Sequence, residues 1–89
     1  MVKTIIRRNN GESEELRCQY AAQTGATRFA MGYQSALSFA EVVAQLSDVL
    51  EFECWDDLAE RYARVPGPWR LSSLDQGIII YNAIFVKEG

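Results

Sequence analysis

Hydrophobic and polar residues alternate through the first third of the chain, and that alternation predicts strands. Val2 to Arg8 is a short β-rich run closed by Asn9-Asn10-Gly11, residues that tolerate positive φ and mark a tight turn. From Glu15 to Ala22, Leu16, Cys18, Tyr20 and Ala22 face one way, while Glu15, Arg17 and Gln19 face the other. A second turn is expected at Gln23-Thr24-Gly25-Ala26. After it, Phe29, Met31 and Tyr33 alternate with Arg28, Ala30 and Gly32. Three antiparallel strands in a meander satisfy this pattern.

The period then changes. Ser38-Phe39-Ala40-Glu41 is a capping box, with Leu37 and Val42 placed for a hydrophobic staple. Phe39, Val42, Val43, Leu46, Val49 and Leu50 follow at i, i+3, i+4, i+7, i+10 and i+11, which predicts one amphipathic helix over 39–50. Residues 51–53 read as a connection. Trp55, Leu58, Ala59 and Tyr62 again have helical spacing, with Asp56 and Asp57 in the first turn and Arg61 and Arg64 in the last, as the helix dipole favours. Val65-Pro66-Gly67-Pro68 terminates this second helix.

The end of the chain returns to strand. Trp69 to Leu74 is a weak candidate, Asp75-Gln76-Gly77 a turn, and Ile78 to Val86 a strand apolar on nearly both faces. The expected fold is therefore α+β in the order β-β-β-α-α-β-β. Two helices pack on one face of a mainly antiparallel sheet of four to five strands.

Length sets one domain over residues 1–89, since 89 residues seldom divide further. Hydrophobic residues at 48% and charged residues at 24% describe a globular chain rather than a disordered one. No apolar run approaches the roughly 20 residues of a membrane helix, and the N-terminus lacks the apolar stretch of a secretory leader. The cytoplasm is the expected compartment, without membrane contact. Cys18 and Cys54 then read as two small buried hydrophobes, with a disulfide reserved for an oxidising compartment.

Candidate chemistry is sparse. The chain has no histidine, the commonest general base and metal ligand. No nucleophile elbow, phosphate-binding loop or Cys-x-x-Cys occurs. Cys54, beside Trp55 at the start of the expected second helix, and the carboxylates of residues 51–60 are the two places a small enzyme could use. The expectation is a non-enzyme without cofactor or metal.

Charge is the most uneven property. Residues 1–34 carry Lys3, Arg7, Arg8, Arg17 and Arg28 against Glu12, Glu14 and Glu15, a net of +2. Residues 35–60 carry Glu41, Asp48, Glu51, Glu53, Asp56, Asp57 and Glu60 with no basic residue, a net of −7. The remainder returns to +2, giving the overall −3. With both helices packed inward, those seven side chains would form one acidic surface, attractive to a basic partner and repellent to nucleic acid.

These features lead to a non-enzymatic protein-binding module. Its contact candidates are Glu41, Asp48, Glu51, Glu53, Asp56, Asp57 and Glu60, with Trp69 added if exposed. In size and charge the chain is similar to small phage-encoded inhibitors of host defence, including anti-CRISPR proteins. That likeness implies blockade of a basic, nucleic-acid-binding groove in the host cytoplasm. The alternative is a homodimer assembled through the apolar strand Ile78 to Val86.

Overall fold

A computed structural model describes residues 2–88. Six antiparallel strands close on themselves: β1 (Val2–Arg8), β2 (Ser13–Gly25), β3 (Arg28–Tyr33), β4 (Val49–Asp56), β5 (Arg61–Gln76) and β6 (Tyr81–Lys87). Their order around the barrel is β1-β2-β3-β6-β5-β4, and β4 returns to pair with β1. One short helix, α1 (Phe39–Gln45), lies in the link between β3 and β4.

The opening meander follows the sequence pattern closely. β1 pairs with β2 from Val2 opposite Cys18 to Arg7 opposite Ser13, and β2 pairs with β3 from Cys18 opposite Tyr33 to Gly25 opposite Arg28. Thr4, Ile6, Leu16, Cys18, Phe29, Met31 and Tyr33 are buried. The expected face of β2 holds only as far as Cys18. A register shift there turns Tyr20 outward, where it is half-exposed, and packs Ala21 against the core instead.

The second half of the chain overturns the expected α+β class. The first helix forms with its capping box: the Glu41 amide donates to Ser38 Oγ and the Ser38 amide to Glu41 Oε1, both at 3.3 Å. It ends at Gln45, however, rather than at residue 50. Asp48 adopts a left-handed φ of 60°, and Val49 and Leu50 already belong to β4. The second helix does not exist. Residues 49–56 and 61–69 form a hairpin pairing Val49 with Trp69 and Asp56 with Arg61. The helical spacing of Trp55, Leu58, Ala59 and Tyr62 is coincidental, because Phe52 and Cys54 alternate inward against Glu51, Glu53 and Trp55 outward.

β5 continues through the Pro66-Gly67-Pro68 cluster, so the weak candidate at 69–74 is the second half of one long strand. Its first half pairs with β4 and its second half with β6, with Trp69 at the bend opposite both Val49 and Lys87. β6 begins only at Tyr81. Ile78 and Ile79 stand in the turn before it, where Gly77 N–H donates to Ile80 O at 2.8 Å.

The lumen is filled by aromatic rings. Phe52 stacks on Phe29 and meets Phe85 edge-on with centroids 4.8 Å apart, while Trp69 lies 6.0 Å from both Phe29 and Phe52. α1 sits over one barrel end and buries Val42, and Leu46 is buried at its C-cap. Beneath it Arg8 Nη2 binds Glu14 Oε2 at 2.7 Å and donates to Gln45 O at 2.9 Å, and Gln45 Nε2 donates to Glu14 Oε1 at 2.5 Å. The polar ends of β1 and β2 are thereby tied to the C-terminal end of the helix.

Candidate functional site

The seven acidic candidates do not share a helical face. Glu41 is on α1, committed to the capping box. Asp48 occupies the left-handed turn after it and accepts from Asn9 Nδ2. Glu51 and Glu53 project from the outer face of β4, where basic residues of the neighbouring strands meet them. Arg64 Nε lies 3.2 Å from Glu51, and Arg7 Nη1 lies 2.7 Å from the largely buried Glu53. On the other side of β1, Lys3 binds Glu15 at 3.0 Å, a bond that raises the Lys3 pKa. The outer wall of β2, β1, β4 and β5 is therefore a charge-matched lattice, not an acidic plate. The basic residues the sequence assigns elsewhere are folded onto the acidic segment by antiparallel pairing. Trp69, the aromatic contact candidate, is buried in the lumen, its indole N–H donating to Val65 O at 3.3 Å.

Asp56, Asp57 and Glu60 remain together at the β4–β5 hairpin tip. Asp56 accepts from the amides of Leu58 and Ala59 at 3.0 and 3.2 Å, so its carboxylate builds the turn. Glu60 completes the turn with a left-handed φ of 51°. Asp57 and Glu60 are exposed, and between them Leu58 is 99% exposed. Immediately below the tip, Trp55 and Tyr62 face each other across the strands as an edge-to-face pair, centroids 5.4 Å apart. Trp55 is 42% exposed. With Val2, Lys3 and Asp57 the pair lines a shallow groove of about 550 Å³. An aromatic pair is therefore present beside a basic side chain, which the helical reading of 55–65 conceals. The sequence signal that could reveal it is the strict alternation of residues 51–55 running into Asp-Asp.

Cys54 points into the barrel, away from any substrate on the surface. It stands opposite Thr4 on β1, whose other neighbour β2 carries Cys18. Burial pushes the Cys18 thiol up to about 11 and the Cys54 thiol up to about 12. The Thr4 hydroxyl is fully buried without a well-formed hydrogen bond, and its proximity works against the effect of burial at both thiols. β1 separates the two cysteines, and both are free thiols. Among the described residues no three His, Cys, Asp or Glu side chains gather in a metal-binding arrangement. No helix there is long and apolar enough to cross a membrane.

A second exposed apolar group stands at the β5–β6 turn. Ile78 is fully exposed and Ile79 is 64% exposed. They border a groove of about 400 Å³ with Arg17, Gln34, Ser35 and Ala36. Comparison with protein-family models, with curated proteins and with solved structures finds no match.

Proposed function

We propose that this chain is a non-enzymatic protein-binding module whose contact surface is the β4–β5 hairpin tip and the Trp55–Tyr62 pair beneath it. The supporting observation is the placement of Leu58 wholly in water, between Asp57 and Glu60 and above a half-exposed tryptophan. Apolar side chains fill the described lumen, and burial there raises the pKa of both thiols. Trp and Tyr are the residues most often found to dominate protein interfaces. The complementary partner presents an apolar pocket edged by basic side chains. Of the seven acidic candidates, only Asp57 and Glu60 enter this surface as free charges. Occlusion of a basic, nucleic-acid-binding groove, the action of a phage-type inhibitor, is carried in this reading by the tip alone.

The test is affinity capture from native-host lysate with three tagged proteins: the wild type, Leu58→Ser, and the double variant Asp57→Lys/Glu60→Lys. Circular dichroism confirms the fold of each. A basic protein retained by the wild type, lost with Leu58→Ser and weakened in the charge variant supports the proposal. Capture that is equal for all three, or absent from all, overturns it.

A further inference from the structure

Isoleucine is poorly suited to a tight turn, where Gly, Asn, Asp and Ser supply the needed backbone freedom or local hydrogen bonds. Nonetheless Ile78 and Ile79 form the β5–β6 tip, closed by the Gly77–Ile80 hydrogen bond. The same corner carries further exposed apolar surface. Tyr81, the first residue of β6, donates its hydroxyl to Leu37 O at 2.6 Å and packs on Phe39 with centroids 6.4 Å apart. Leu37 and Phe39 are themselves 38% and 44% exposed. Two largely exposed isoleucines and two partly exposed apolar side chains thus gather around one turn, rather than lying singly scattered.

The charges beside this turn indicate what covers it. Arg17 lines the groove on the β2 side. Asp75 projects from β5 on the other side, opposite Asn82 of β6. Both are exposed, and among the described residues neither makes an ion pair. The strands that carry them are separated by β3 and β6 in the barrel wall. An apolar centre with one unpaired cation on one flank and one unpaired anion on the other is self-complementary. A two-fold axis through the centre sets the cation of each copy against the anion of the other.

We propose that the chain forms a two-fold homodimer through the β5–β6 turn, with Ile78 and Ile79 of each copy packed at the axis and Arg17 facing Asp75 of the second copy. The interface is formed by turn and side-chain surface, since the closed barrel has no strand edge to extend. It uses no residue of the β4–β5 tip, although Arg17 stands opposite Lys3 of the groove below that tip.

Sedimentation velocity from about 1 μM to about 500 μM spans the range expected of a small interface. The wild type is expected to shift from monomer to dimer across it. Ile78→Ser/Ile79→Ser should weaken association at least tenfold, as should Arg17→Glu or Asp75→Arg alone. Arg17→Glu combined with Asp75→Arg should restore association, because the pair is re-formed with its signs exchanged. The combined swap also serves if the serine variant does not fold. A monomer at every concentration overturns the proposal. So does a dimer indifferent to Ile78 and Ile79, or a charge swap that restores nothing.

Discussion

Phe29 and Phe52 reach across the lumen from opposite walls of the barrel and stack face to face, with centroids 4.0 Å apart and planes 5° from parallel. β3 and β4, which carry them, are as far apart as two strands of a six-stranded ring can be. Each ring is fully buried, so the pair is held by neither neighbouring strand but by the closure of the whole barrel. Truncation of either ring leaves a void that the surrounding strands cannot collapse to fill. Phe52→Ala and Phe29→Ala should each destabilise by about 3–5 kcal/mol in urea titration, and the double variant by less than the sum.

The buried thiols give stability a signature at alkaline pH. Their folded pKa values, about 11 for Cys18 and about 12 for Cys54, lie above the ordinary value of 9.0. Between the ordinary and the folded values the unfolded chain loses thiol protons that the folded barrel keeps, so stability falls as pH rises. Below pH 9 the contribution is constant. Above it, each thiol should remove up to about 1.4 kcal/mol per pH unit until its folded value is passed. Chemical denaturation at pH 8 and pH 10 checks this, with Cys18→Ala/Cys54→Ala as the control that flattens the difference. In the native protein at pH 8, neither thiol should react with an aromatic disulfide reagent at a rate above that of unfolding.

The two kinds of acidic residue should separate cleanly under charge reversal. Glu53→Lys places a cation against Arg7 in a largely buried setting and should lower stability by about 2 kcal/mol. Asp57→Lys alters an exposed tip residue with no ion partner among the described residues, and should change stability by less than about 0.5 kcal/mol. Asp56 belongs with the first kind despite its position, because its carboxylate holds the turn. Thermal melts of Glu53→Lys, Asp56→Ala and Asp57→Lys decide the order.

Gly67 is required by its surroundings. A Cβ at that position would stand 2.4 Å from Leu50 O and 2.6 Å from Trp69 Cδ1, and the first of these is backbone. Gly67→Ala should therefore displace the bend of β5 and cost about 2 kcal/mol or more. A Cβ at Gly32 would stand 2.6 Å from Tyr20 Cε1, the edge of a half-exposed ring that can turn aside. Gly32→Ala should cost about 1 kcal/mol or less, chiefly through the Tyr20–Asn82 hydrogen bond. A Tm shift for Gly32→Ala equal to that of Gly67→Ala would refute this ranking.

The meander of residues 2–33 and the Ser38–Glu41 capping box are legible in the sequence because their determinants are local: alternation, turn residues and a four-residue cap. Residues 46–65 are not. Val49 and Leu50 fit the helical period by accident, and only the tertiary demand to pair β4 with both β1 and β5 turns them into strand. Trp55, Leu58, Ala59 and Tyr62 show the same accident across a hairpin, where one residue on each arm and two at the apex imitate a helical stripe. The acidic surface fails for a related reason. Net charge per segment describes the chain in one dimension, and antiparallel pairing folds Arg7 and Arg64 onto Glu53 and Glu51. The apolar run from Ile78 reads as strand by composition, although Gly77 has already begun the turn.

The position of β6 fixes when folding can finish. It inserts between β3 and β5, so Tyr33 meets Tyr81 across 48 residues of chain. Until β6 has emerged from the ribosome, β3 and β5 each present a bare row of amides and carbonyls, open to any passing strand. No earlier portion of the chain can seal itself, because the gap lies in the wall between two strands already made. Synthesis therefore passes through its most aggregation-prone stage just before β6 appears, and a chaperone that holds the nascent chain would matter most at that moment.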